Sequence, residues 1–173
     1  MSEPRIRVRT RSDIARQRRP RRHPCWDHLI AAPLWPQHGA NLGTLLRTCD
    51  AVGACMAVPN TPHHREALRR GNTLPVRSCI HWVHSPRGWL ARERDRGATI
   101  VGVELAEDAT RLADVPAARE RTIVVLGHER HGIPDDAWDL LDTMVEIPMV
   151  GAGSSLNVAV AGSLVLYRLA GLV

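Results

Sequence analysis

Apolar residues fall into two rhythms along this chain: short, nearly continuous runs, and longer segments with an apolar residue every three or four positions. The runs Leu29–Ala32, Ala54–Val58, Ser78–Val83, Thr99–Val103, Thr122–Leu126 and Met144–Ile147 predict six strands. Asn41–Val52 carries Leu42, Leu45, Leu46, Cys49 and Val52 at helical spacing. Pro59-Asn-Thr-Pro62 reads as a turn that caps a helix over His64–Arg70, and further helices are expected over Pro86–Arg96 and, opened by a proline, Pro134–Leu141. From Leu156 to Leu172 the chain is apolar almost all the way round, which predicts a buried helix, opened by Ser154 or Ser155. Strands alternating with helices imply an α/β fold: a mostly parallel six-stranded sheet with helices on both faces.

Charge changes that picture only at one end. Residues 1–22 hold nine Arg against Glu3 and Asp13, whereas residues 23–173 hold fourteen Arg against sixteen acids. The whole net charge of +5 therefore comes from the first segment, which includes Arg18-Arg19-Pro-Arg21-Arg22. It reads either as a phosphate-binding arm or as a solvated leader without a partner. Length and a hydrophobic content of 44% fit one globular domain, residues 23–173, behind this tail. No uncharged apolar run is long enough to span a bilayer, and no apolar stretch follows the basic N-terminus as in a secretory signal, so a cytoplasmic protein is expected.

Cys25, Cys49, Cys55 and Cys79 show no C-x-x-C spacing and read as reduced, buried apolar residues. Cys79-x-His81-x-x-His84 has no fourth ligand spaced to join it, so no metal site is expected. One tyrosine and no phenylalanine argue against a reader of single strands by stacking. No G-x-G-x-x-G or P-loop appears, which disfavours a flavodoxin-like nucleotide binder.

The most informative stretch is Glu146 to Arg168. A short strand leads into a loop with Gly151, Ala152 and Gly153 and then a helix, an arrangement that can offer free backbone N–H groups to a ligand. Ile147-Pro-Met followed by Ser155-Leu-Asn-Val-Ala-Val-Ala resembles the third motif of the SpoU/TrmH family of RNA ribose methyltransferases, in the SPOUT superfamily. Asn41-Leu-Gly-Thr-Leu-Leu-Arg47-Thr-Cys-Asp-Ala-Val-Gly53 resembles its first motif. Val125-Leu-Gly127-His-Glu129-Arg-His-Gly132-Ile-Pro134 resembles its second.

The resemblance implies a C-terminal trefoil knot, an exception to unknotted topology, that holds S-adenosyl-L-methionine. It places Val103 or Glu104, Gly127, Ile147 and Leu156 around the cofactor, with the loop Val150–Ser154 suited to close backbone approach. Ordinary core packing would account equally for Ile147 and Leu156, and a plain turn for Gly127. Arg47 is the implied catalytic residue. An arginine is a poor general base unaided, but it can grip a phosphate bidentately and stabilise a developing alkoxide. Away from the motif it would read as a surface Arg paired with Asp50. Asn41 is expected to orient Arg47 or the ribose, or to cap its helix; Glu129 to orient the substrate or Arg47. Ser155 and Asn157 complete the implied catalytic set, Asn157 standing inside an apolar helix where it needs a hydrogen-bond partner. His128 and His131 read as RNA-facing or structural.

Family members are homodimers with the active site at the subunit interface, and the apolar faces of the Asn41–Val52 helix and the last helix would supply that contact. The implied activity is 2′-O-methylation of a tRNA or rRNA nucleotide. Arg-Thr-Cys-Asp-Ala-Val-Gly and Ile-Pro-Met-Val-Gly lean toward the tRNA guanosine branch, although the chain ends directly after the last helix, without the extension of the family's tRNA enzymes. The alternative is a catalytically idle knotted protein that binds RNA or assists assembly.

Overall fold

The structure, a computed structural model, describes residues 9–10, 12–13, 26–74, 79–153 and 155–173. The Arg-rich run, Cys25, Ser78 and Ser154 lie outside the described residues.

Seven strands form one sheet: β1 (Trp26–Pro33), β2 (Ala54–Pro59), β3 (Ile80–Val83), β4 (Thr99–Val103), β5 (Thr110–Arg111), β6 (Thr122–Leu126) and β7 (Thr143–Glu146). Their order is β3-β2-β1-β6-β4-β7-β5, and every neighbouring pair is parallel. The sheet thus has seven strands rather than six. The additional β5 is two residues long and pairs only with β7 at the edge, too short to leave a periodic signal.

Among the described residues the longer α-helices are α1 (Gly39–Val52), α2 (Pro62–Gly71) and α3 (Pro86–Asp95), which connect strands, and α4 (Val158–Leu169), which follows the last one. Pro134–Leu141 does not form an α-helix; Asp135–Leu140 is a 3₁₀ segment instead. Its buried residues, Ala137 and Leu140, stand three apart, a spacing that α and 3₁₀ turns share. Thr61 caps α2 as expected, its hydroxyl accepting from the His64 amide at 3.2 Å, with Pro62 following. Gly53 ends α1 in the left-handed conformation, φ 82°.

Two apolar layers cover the sheet. Leu42, Leu45, Leu46 and Cys49 of α1, Leu68 of α2, and Val165, Leu166 and Leu169 of α4 pack on one face with Leu29, Met56 and Val124. Trp89 and Leu90 of α3, with Ala137 and Leu140, pack on the other against Ile30, Ile100 and Ile123. Continuous apolar strands follow from this double coverage, since both faces of β2 and β6 are buried. Gly162 lets α4 approach closely: a Cβ there would meet Leu126 and Leu45 side-chain carbons at 2.7 and 2.8 Å.

The last helix is shorter and less buried than its composition predicts. Ala159, Gly162, Val165, Leu166 and Leu169 face the core, but Val160, Leu164 and Tyr167 are 48%, 42% and 36% exposed. On α1 the large apolar residues Leu42, Leu45, Leu46, Cys49 and Val52 are buried in the chain's own core, and only Ala40 and Ala51 among its apolar residues are exposed. No helix among the described residues is long and apolar enough to cross a membrane.

Candidate active site

In an open parallel sheet, ligand crevices form beyond the carboxyl ends of the strands. A cavity of about 460 Å³ sits there, at the ends of β4, β6 and β7, within the usual range for small-molecule pockets. Val103, Glu104, Gly127, Ile147 and Leu156, the five residues expected around a cofactor, all line it, together with Glu129 and Ser155. Leu105, Leu126, His128, Arg130 and Met149 complete much of the wall. Apolar carbon from Val103, Leu126, Ile147 and Leu156 thus faces polar groups at the opening, a lining that suits an amphipathic nucleoside with an aliphatic thioether.

The floor is shaped by backbone. After β6 the chain loops through residues 128–132 and closes on itself, His128 N donating to the Gly132 carbonyl at 2.8 Å and Gly132 N to the His128 carbonyl at 2.9 Å. Gly127 cannot bear a side chain, because a Cβ would land on the Gly132 carbonyl carbon and the Ile133 amide. Gly132 itself has φ 67°, and the Glu104 carboxylate fills the space where its Cβ would be. The Nδ1 of His128 accepts from the Arg130 amide at 3.0 Å, and its ring lies 4.7 Å from that of His131.

Glu129 fastens this loop to α1. Its Oε2 accepts from the Gln37 amide at 2.7 Å, and its Oε1 from the His38 amide at 3.1 Å and Asn41 Nδ2 at 2.8 Å. Burial opposes the charged form, but the Gln37, Asn41 and His38 hydrogen bonds outweigh it and hold the carboxyl below its usual range. His38, the residue preceding α1, makes no side-chain cap, so the carboxylate of another loop does the work a cap would do, at the positive end of the helix. Asn41 is therefore not the N-cap. It sits in the first turn, 9% exposed, donates to Glu129 and accepts from Asn157 Nδ2 at 3.0 Å.

Asn157, not Ser155, is the cap of α4, and Ser154 lies outside the described residues. The Asn157 Oδ1 accepts from the Ala159 and Val160 amides at 2.9 and 3.3 Å. The requirement for a partner inside an apolar helix disappears because Asn157 stands at the helix end. The glycine loop departs from expectation too. Val150, Gly151 and Gly153 are exposed and do not line the cavity, and four residues separate Gly153 from α4.

Arg47 is the one expected catalytic residue that this chain keeps away from the rest. It does not line the cavity, and its Nη1 donates to Thr73 Oγ1 at 2.8 Å, beyond the end of α2, rather than pairing with Asp50. Asn41 is thus hydrogen-bonded to Glu129 and Asn157 rather than to Arg47. Sequence reasoning missed Gln37 and His38, which contribute only main-chain N–H groups, and Arg130 at the cavity wall.

The model of the SpoU rRNA Methylase family matches residues 32–167. The chain belongs to the SpoU methylase family. Among SpoU relatives, the tRNA (guanosine(18)-2′-O)-methyltransferase of Thermus thermophilus is 34% identical over 74% of this chain and 66% of its own length. The Escherichia coli enzyme of the same name is 30% identical, over 74% of this chain and 56% of that one. The chain therefore spans between about half and two thirds of these two relatives. In fold it matches the Aquifex aeolicus TrmH/SpoU tRNA modifying enzyme, TM-score 0.72 at 24% identity, over 86% of this chain and 77% of that one. The SpoU methyltransferase AviRb from Streptomyces viridochromogenes, solved in complex with the cofactor AdoMet, matches with TM-score 0.66 at 26% identity, over 88% and 59% of the two chains.

Proposed function

We propose that this chain transfers a methyl group from S-adenosylmethionine to the ribose 2′-OH of a nucleotide in tRNA or rRNA, with a tRNA guanosine favoured. The observation that carries this reading is the cavity, where Val103, Glu104, Gly127, Ile147 and Leu156 converge beside Glu129 and Ser155. The names of the Thermus and Escherichia relatives support the substrate, and the AviRb complex supports the cofactor.

Bound S-adenosylmethionine would supply an electrophilic methyl group on a sulfonium centre. The chain's part is to hold the ribose oxygen in line with it and to ease the loss of the hydroxyl proton. Glu129 is ill suited to take that proton, because both oxygens are engaged and its carboxyl is held acidic. It acts with Asn41 and Asn157 as a positioning group, while Ser155 faces the substrate from the cavity wall. Arg47 grips the phosphate beside the target ribose and lowers the cost of the alkoxide.

Because Arg47 does not line its own cavity, it serves the cavity of a partner in a homodimer whose site lies at the subunit interface. The uncovered stripe of Val160, Leu164 and Tyr167 on α4 supports such an interface. A C-terminal trefoil knot belongs to the same reading. It is supported by Arg168 of α4, whose Nε and Nη2 donate to the Val115 and Ala113 carbonyls at 2.6 and 2.7 Å in the loop between β4 and β6. Residues 1–22 act as an RNA-binding arm on the domain of residues 23–173, in a cytoplasmic enzyme.

Calorimetric titration with S-adenosylmethionine and with its demethylated product tests the cofactor, and labelled methyl transfer to tRNA and rRNA transcripts tests the reaction. Saturable binding and a 2′-O-methylated nucleotide are expected. Arg47→Ala should lower transfer by about a hundredfold or more while cofactor affinity stays unchanged. Absence of cofactor binding by a folded dimer would return the idle RNA-binding alternative. Deleting residues 1–22 should weaken RNA affinity alone.

A further inference from the structure

Cys55, Cys79 and His81 meet on one face of the sheet, at the start of β2 and β3. Register brings them together: Met56 pairs with Ile80 and Ala57 with His81, so Cys55 stands opposite Cys79. Cys79 and His81, two residues apart along an extended strand, point to the same side. The Sγ atoms of Cys55 and Cys79 are 2.8 Å apart, and Cys79 Sγ lies 3.9 Å from His81 Nε2. All three potential ligand atoms fall within 4.8 Å of one another. Cys55 is fully buried, whereas Cys79 and His81 are half-buried, which leaves an ion a path in from solvent. His84, the other histidine of the sequence pattern, is engaged elsewhere, its Nε2 lying 2.9 Å from Asn60 Nδ2.

We propose that Cys55, Cys79 and His81 bind one Zn²⁺ ion, with a water completing the tetrahedron. Two thiols and an imidazole form a soft donor set that selects zinc over the hard, oxygen-seeking cations. With Zn–S bonds of about 2.3 Å the sulfurs need part by only about 1 Å, a side-chain adjustment. Binding displaces the thiol protons, so affinity falls with falling pH. The place in the fold assigns the role. Among the described residues β3 is an edge of the sheet, four residues long and paired only with β2. The cavity lies at the opposite ends of the strands, beyond β1, so the ion pins an edge strand and takes no part in methyl transfer.

The test uses the full, untagged chain, reduced and stripped of metal, titrated with Co²⁺ and then Zn²⁺. A thiolate-to-cobalt charge-transfer band that saturates at one ion per chain and is displaced by zinc is expected. Zinc at a hundredfold excess over its Kd should raise Tm by about 5–10 °C. Cys79→Ala should abolish both signals, and His81→Asn should weaken cobalt binding by about tenfold or more. These two positions are half-buried and spare the core at Cys55. A spectrum without the thiolate band, or one retained in Cys79→Ala, overturns the proposal. So does a Cys55–Cys79 disulfide that forms in air when the reduced protein takes up no metal.

Discussion

Replacing Glu129 by glutamine removes a charge while changing almost nothing in shape, so its cost can be worked from three hydrogen bonds. An amide oxygen in the place of Oε1 keeps the His38 and Asn41 bonds, but as neutral bonds, and its NH₂ then confronts the Gln37 N–H. A hydrogen bond to a charged group contributes about 1.5–3 kcal/mol against about 1 for a neutral one. Losing one such bond and weakening two would cost about 2–4 kcal/mol in a dry interior. Glu129 is half-buried, and water can reach the stranded Gln37 amide, which brings the expectation to about 2 kcal/mol. Urea unfolding at pH 7 and fixed chain concentration, comparing Glu129→Gln with the unmodified chain, measures it. The sign with pH follows from the acidic carboxyl. Its contribution is complete above the unfolded carboxyl value of about 4.3 and is lost as pH falls through the lower folded value. The two stability curves should therefore converge in acid. A difference below about 0.5 kcal/mol at pH 7, or one that persists unchanged to about pH 2, would refute the reasoning.

Gly127→Ala should cost about 2 kcal/mol or more and disrupt the cavity, because its Cβ meets backbone of the closed loop that cannot give way; a normally stable variant that still binds cofactor would show that the loop yields. Glu93 is 3% exposed and bridges Arg121 Nε at 2.8 Å and Arg96 Nη1 at 3.1 Å. Both arginines have some access to water, so Glu93→Gln should cost about 1–2 kcal/mol in urea unfolding rather than the full penalty of a stranded buried charge, and an unchanged midpoint would count against it. Leu164→Arg places a charge in the exposed stripe of α4; sedimentation should show a monomer of unaltered fold, and a variant that remains dimeric removes α4 from the interface.

What the sequence made legible follows from how much of each signal is local. Thr99–Val103 and Thr122–Leu126 coincide with β4 and β6 because compact β-branched runs buried on both faces have few other solutions. Thr110–Arg111 carries no such run, and its pairing with β7 exists only in three dimensions. The last helix misled in another way. Hydrophobicity reports that Val160, Leu164 and Tyr167 avoid water, not whether their cover comes from their own chain. That Val103, Glu104, Gly127, Ile147 and Leu156 converge on one cavity was readable through motif resemblance. Gln37 and His38 were not, since a main-chain amide leaves no trace in residue type. Cys55 joins Cys79 and His81 only through strand register, which spacing along the chain cannot reveal.

The three motifs, far apart in sequence, are one hydrogen-bonded line in space: Glu129 to Asn41, Asn41 to Asn157, and Asn157 to the first amides of α4. Each motif contributes one member, which gives a physical reason for their joint presence independent of any direct contact with substrate. Asn41 and Arg47 lie on the same helix, six residues or about 9 Å apart along its axis. Glu129 holds the entry to that helix through Gln37 and His38, and Asn157 holds its first turn through Asn41. The line therefore sets the rotation and depth of α1 relative to the cavity loop and to α4. A guanidinium on a rigid helix can only be aimed by aiming the helix. In the proposed mechanism the polar residues of the motifs act on Arg47 through α1 rather than by contact, Arg47 itself being hydrogen-bonded to Thr73.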